Sequence, residues 1–168
     1  MTDQPGDHVA RVMEQWARER PDLDVSPQGV IARLHRIGGR LTRELVEVYA
    51  RFGLGEGEFD VLATLRRAGT PFQLTPRELA EGTMVTGGAV TKRVDRLVER
   101  GLATRSVSEV DGRGRVIGLT PAGHRLIDEA FTAHMANEHR LLEGLSPADR
   151  AELARLLGSW ARALESSG

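Results

Sequence analysis

The chain has 168 residues, enough for one domain with helical extensions, and its 28% charged and 4% aromatic content points to a helix-rich soluble protein. It has no cysteine, which excludes disulfide scaffolds, thiolate zinc sites and cysteine nucleophiles, and no apolar run near the roughly 20 residues a membrane span needs. A net charge of −1 is not the usual footprint of a nucleic-acid binder, yet residues 86–118 hold seven Lys and Arg against four Asp and Glu.

The N-terminus is polar and acidic, without a signal-peptide core, so the expected location is the cytoplasm. Residues 7–19 place Val9, Val12, Met13 and Trp16 at helical spacing, and Pro21 ends the run. Ser26 then caps a helix with Pro27 at its first position. Ile31, Leu34, Ile37, Leu41, Leu45, Val48 and Phe52 carry its apolar stripe for about seven turns, to Gly53. The glycines of residues 53–57 superficially resemble a phosphate-binding run, but no strand precedes them and no Gly-Lys-Ser/Thr follows. Residues 58–67 make a third helix through Phe59, Leu62, Ala63 and Leu65, stopped by Gly69-Thr70-Pro71.

Residues 75–101, TPRELAEGTMVTGGAVTKRVDRLVERG, read as two helices joined by a tight break. Thr75 is the first N-cap, with Pro76 at the first helical position and Glu78 closing a capping box. Gly82-Thr83 breaks the helix, and Thr86 caps a second run that ends at Gly101. Val90, Val94, Leu97 and Val98 form the buried stripe of that run, while Gly88, Lys92, Asp95 and Glu99 point away. Gly87 and Thr91 lie on one flank, Arg93 and Arg100 on the other. Small residues, a Thr and a Lys near a helix N-terminus suit close approach to a phosphate backbone, so the pair fits a helix-turn-helix. A plain corner between two helices fits the same pattern.

Next, residues 102–107 and 115–119 are short β-branched segments around Glu109-Val110-Asp111-Gly112-Arg113-Gly114, a hairpin with an Asp-Gly turn. Its position after the second helix makes it a wing whose Arg113 is placed to enter a minor groove, unless it is only a turn arginine. Thr120-Pro121 opens a long helix to about residue 143, and Ser146-Pro147 opens a last one with Leu153, Leu156, Leu157, Trp160 and Leu164. The apolar stripes at both chain ends suit burial against a second copy, or an intramolecular bundle. The fold class expected is mainly α with a small β-hairpin wing, dimeric through the N- and C-terminal helices. The expected division is 1–53 for dimerisation and a ligand lid, 54–120 for the winged helix-turn-helix, and 121–168 for dimerisation.

Residues 74–80 (LTPRELA), 90–102 (VTKRVDRLVERGL), 111–114 (DGRG) and 119–123 (LTPAG) together resemble the MarR family of winged-helix regulators, over nearly the whole chain. The resemblance implies a homodimer on double-stranded DNA, one recognition helix per major groove, with half-sites about 10 bp apart. It places Thr86, Gly88, Thr91 and Lys92 at bases and phosphates, Arg113 at the wing tip and Asp111 holding it. Thr75, Arg77, Gly87 and Arg96 join the expected DNA-facing set, and Arg100 is a further phosphate candidate. The added N-terminal helix is similar to that of the subgroup released from DNA by urate. That likeness implies an effector site of Trp16, Asp60, Arg93 and Arg105, taking urate or a related organic anion. Two guanidiniums hold a planar anion, Asp60 orients one of them, and the indole covers the ring. A plain Asp60–Arg93 ion pair and ordinary packing of Trp16 are the simpler alternatives.

No cofactor is expected, and neither is an enzyme. The chain lacks His-Glu-x-x-His and Gly-x-Ser-x-Gly, and His8, His35, His124, His134 and His139 are scattered without metal-ligand spacing. A winged helix that binds protein rather than DNA is the other reading from a different class.

Overall fold

The computed structural model describes residues 7–84, 90–107 and 114–166. In chain order the elements are α1 (His8–Glu19), α2 (Gln28–Ala50), α3 (Glu56–Arg67), β1 (Gln73–Leu74), α4 (Pro76–Gly82), α5 (Val90–Glu99), β2 (Ala103–Val107), β3 (Arg115–Leu119), α6 (Pro121–Leu141) and α7 (Pro147–Glu165). Residues up to Glu44 cluster as one compact unit and residues from Leu45 onward as another, with α2 running through both.

In the first unit Asp7 does two jobs. It caps α1 by accepting from the Ala10 N–H at 2.9 Å, and it takes a forked pair from Arg33 of α2 at 2.7 and 3.0 Å. The Arg33 hydrogen bond, helped by the cap, holds the Asp7 carboxyl at about 2. Val9 is buried, and Met13 packs over Gly29 of α2. Val30, Ile31, Ile37 and Leu41 of α2 remain exposed.

The second unit is built on α3. Val61, Leu62 and Leu65 are fully buried, and Leu79 of α4, Val94 and Leu97 of α5 and Ile127 of α6 close around them. Thr75 opens α4 with the expected capping box, accepting from the Glu78 N–H while Glu78 Oε2 accepts from the Thr75 N–H at 2.8 Å. Thr120 caps α6 by accepting from the Gly123 N–H, and Ser146 caps α7 by accepting from the Asp149 N–H. Helix α3 starts two residues earlier than its apolar pattern indicates, because Gly55 is the N-cap and Glu58 folds back onto its N–H at 3.0 Å.

The wing strands β2 and β3 pair antiparallel from Ala103↔Leu119 to Val107↔Arg115. A third strand joins them. Gln73 and Leu74 pair with Gly118 and Ile117, giving the order β1-β3-β2. Two residues carry no alternation to read, so this strand exists through its partner and not through its own sequence. Gly118 makes the join possible: a Cβ there would lie 2.9 Å from Gln73 Cγ and 3.4 Å from Thr104 Oγ1. Helix α7 buries none of its residues and leaves Leu153, Leu156, Leu157 and Leu164 in solvent.

Thr120 also donates to the Gly101 carbonyl at 2.8 Å, which ties the start of α6 to the turn after α5. Gly123, buried in the first turn of α6, lies directly against the Leu102 carbonyl. Gly123→Ala is therefore expected to cost about 1–3 kcal/mol by overpacking, despite alanine's better helix propensity. Urea denaturation checks this, and an unchanged or raised midpoint would show that the contact yields freely.

Candidate nucleic-acid interface and effector site

Helix α5 turns Val90, Val94 and Leu97 into the core, so its opposite face is fixed outward. Lys92 is exposed on that face and Thr91 on its flank. Arg77 projects from α4, paired with Glu81 at 2.8 Å in a highly exposed i,i+4 contact that contributes little and yields readily to a phosphate. Thr75 is half-buried, with its hydroxyl engaged in the α4 cap. Arg96 turns toward α3 and stands 3.4 Å from Glu58. Thr86, Gly87, Gly88, Asp111 and Arg113 lie outside the described residues.

The four residues expected at an effector fall in different places. Trp16 is on α1, in the first unit, 45% exposed. Asp60 is buried on α3. Arg93 crosses from α5 onto α3 and lies across Gly57, where any Cβ would collide with its guanidinium and stem. Gly57 and Asp60 are three residues apart and share a face of α3, so Arg93 and Asp60 meet the same helix surface. Arg93 Nη1 is buried and has no hydrogen-bond partner among the described residues. A buried guanidinium nitrogen left in that state is ready to receive an acceptor.

Arg105 reaches α5 elsewhere. From β2 it donates to Asp95 and, at 3.4 Å, to the Thr91 carbonyl. Residues 93 and 95 are about 200° apart around a helix, so Arg93 leaves α5 toward α3 on one flank while Arg105 reaches Asp95 on the other. On the Arg105 side a cleft of about 290 Å³ opens between α4, α5 and the wing, lined by Ala80, Val94, Val116, Ile117, Arg105 and Arg115. The resemblance pointed to Asp60, Arg93 and Arg105, and no reading of the sequence singled out Gly57, Glu58 or Arg115 beside them. A glycine inside the first turn of α3 is the one signal that could have shown a close approach there.

Among the described residues no group of three or more His, Cys, Asp or Glu gathers as a metal site. His134 packs instead among Tyr49, Phe59 and Phe131, 3.3 Å from the Tyr49 hydroxyl and 3.2 Å from Glu138. Burial, then the charges of Glu138, Glu56 and Asp60, pushes the Tyr49 phenol up to about 12.

Residues 52–114 match the MarR family model. Over 150 residues the chain is 38% identical to the HTH-type transcriptional regulator PecS of Dickeya dadantii, covering 89% of this chain and 90% of that protein. The chain belongs to the MarR family. Like other MarR-family members it is a winged-helix, DNA-binding transcriptional regulator and not an enzyme. Among solved structures it is similar to a mutant MarR from Escherichia coli complexed with operator DNA, at 27% identity and TM-score 0.67, covering 82% of this chain and 98% of that one. It is also similar to BpsR of Bordetella bronchiseptica, whose DNA binding is regulated by 6-hydroxynicotinic acid, at 25% identity and TM-score 0.68, covering 79% and 98%.

The Arg93–Gly57 contact in this MarR-family chain gives a direct test. Gly57→Ala is expected to lower stability by about 1–3 kcal/mol by driving Arg93 off α3. In the Gly57→Ala/Arg93→Ala double variant most of the added cost should vanish, a coupling of about 0.5–3 kcal/mol in a thermodynamic cycle. Additive effects of the two substitutions would mean that Arg93 does not occupy this place in solution.

Proposed function

We propose that this regulator is a ligand-responsive repressor that acts in the cytoplasm and binds a pseudo-palindromic operator as a homodimer. A small organic anion, urate or a related acid, releases it. The observation that carries the reading is α5, locked to the core through Val90, Val94 and Leu97 while Lys92 stays exposed on the opposite face and Thr91 on its flank. That is the geometry a major-groove helix requires. Operator DNA on the similar Escherichia coli protein supports it. The unburied apolar rows of α2 and α7 support dimerisation, since each is a stripe a second copy would cover. Thr86, Gly87, Gly88 and Thr91 are assigned to the groove, with Lys92, Thr75 and Arg77 at phosphates, and Arg113, oriented by Asp111, in the minor groove. The three-part division into 1–53, 54–120 and 121–168 goes with these roles.

The effector reading rests on the buried, unpartnered Arg93 nitrogen beside the face of α3 that carries Asp60. Regulation of BpsR by an aromatic acid favours a ligand of this chemistry. An anion that touched both Arg93 and Arg105 would have to part Arg105 from Asp95, so binding at one flank of α5 would loosen its hold on the wing. The cleft holding Arg105 and Arg115 is the second place where an anion finds two guanidiniums.

Two measurements test these assignments. Lys92→Ala should weaken binding across sequences and lower the slope of log K against log salt by about one, the mark of one lost phosphate contact. Relaxed sequence preference at an unchanged slope would assign Lys92 to base reading instead. For the effector, urate and 6-hydroxynicotinic acid are titrated into Trp160→Phe protein, so that fluorescence reports Trp16 alone. Quenching with DNA release in the parent, lost in Arg93→Ala and kept in Arg115→Ala, is the expected pattern. Loss only in Arg115→Ala moves the site to the wing cleft, and an absence of response to either acid leaves a regulator of another effector or none.

A further inference from the structure

Glu58 is the third residue of α3, and its side chain is only 11% exposed, which is unusual for a carboxylate. One oxygen, Oε2, accepts from the Gly55 N–H at 3.0 Å and from Arg100 Nη1 at 3.4 Å. The other, Oε1, stands 3.4 Å from Arg96 Nε. Both arginines belong to α5 or the residue just after it, four positions apart on one flank. One turn earlier on that flank, Arg93 lies on Gly57, the residue next to Glu58. Gly53, at φ +65°, leaves Arg100 Nη2 room to pass 3.5 Å from where a Cβ would stand. The opposite flank of α5 is held by Arg105 through Asp95 and the Thr91 carbonyl. The apolar stripe decides which side of α5 turns inward, and charged contacts hold its two flanks. The two ionic brackets add to that hold, and of their carboxylates the one at Glu58 is the buried one.

We propose that Glu58 is a positioning residue: it holds the recognition helix at the rotation in which Thr91 and Lys92 face DNA. In this role Arg96 and Arg100 serve Glu58 and not the phosphate backbone. The inference rests on the reading of α5 as the helix that enters the groove, and it reassigns Arg96 away from the DNA-facing set. A buried carboxylate that lost both arginines would keep only the Gly55 N–H, so its loss of partners costs more than parting the exposed pair Arg77–Glu81.

The sign of one substitution separates this role from simple charge screening. Glu58→Gln keeps the shape and can still accept from the Gly55 N–H, but it gives up the charge. If Glu58 merely screened two phosphate-binding arginines, releasing them would tighten DNA binding and steepen its salt dependence. As a positioning residue, its loss weakens binding about tenfold at an unchanged salt slope, the scale on which charge-assisted pairs couple.

The probe is a duplex selected from a random pool by the parent protein, so failure of the selection overturns the DNA-binding reading itself. Affinities are measured on full-length protein at several salt concentrations, at a temperature where circular dichroism shows every variant folded. A role confined to stability would lower the melting temperature while leaving this affinity unchanged, and that result overturns the proposal. Should Glu58→Gln fail to fold, Arg100→Gln, at a side chain 38% exposed, gives the same decision. Weaker binding at constant salt slope, largely restored by Arg100→Lys, supports the bracket. A slope reduced by about one makes Arg100 a phosphate contact and removes the proposal. In the Glu58→Gln/Arg100→Gln double variant, binding no weaker than in Glu58→Gln alone supports one shared interaction, and additive losses count against it.

Discussion

A helix as short as the ten residues of α5 does not hold its shape alone in water; nucleation is costly and isolated helices below about 12–15 residues are marginal. Its order is borrowed from α3. Val90, Val94 and Leu97 reach into the cluster formed by Val61, Leu62 and Leu65, and burial of that cluster fixes where the exposed face of α5 can point. The turn after α5 belongs to the same constraint. Thr120 donates to the Gly101 carbonyl, Gly123 meets the Leu102 carbonyl, and β3 pairs with both β2 and β1. The wing is thus anchored at its base to the same core that orients the helix.

A nearly neutral protein ties many of its guanidiniums to carboxylates. Many arginines of the second unit are committed to carboxylates: Arg66 to Asp128, Arg77 to Glu81, Arg96 and Arg100 to Glu58, and Arg105 to Asp95. These pairs differ in depth. Arg77–Glu81 is exposed and screened by salt, so a phosphate can replace Glu81 at small cost. Glu58 is nearly closed off from water, and breaking its contacts strands a charge. The count of basic residues along residues 86–118 therefore overstates the field available to DNA. It also hides which guanidiniums are structural.

The helices were legible because their signals are local. Thr75, Thr120 and Ser146 are caps whose partners lie three residues away, and each stands where the sequence places it. Strand β1 was not legible, since Gln73 and Leu74 are ordered by Gly118 and Ile117, more than forty residues on. The candidate site shows the same divide. The family resemblance pointed to Asp60, Arg93 and Arg105, but it says nothing of which flank of α5 a strand residue reaches. Arg105 meets Asp95 and Arg93 meets Gly57 because β2 and α3 pack on different sides of one helix. Glu58 was read only as a helix residue, for its second role needs arginines from a distant segment.

If an effector acts as proposed, the two flanks give its control a physical form. A rigid helix turns as one body, so a force on Arg93 is felt at Arg96 and Arg100 within the next two turns. An anion drawing Arg93 away from Gly57 would work against the Glu58 bracket, and the DNA-reading rotation would give way only by as much as the anion prefers the other one. A tenfold loss of operator affinity requires a differential affinity of about 1.4 kcal/mol, well within what two charge-assisted hydrogen bonds supply. On this view the bracket sets the threshold of the switch. Weakening it by Glu58→Gln lowers operator affinity and at the same time narrows the range over which an effector can act, because part of the population has already left the reading position.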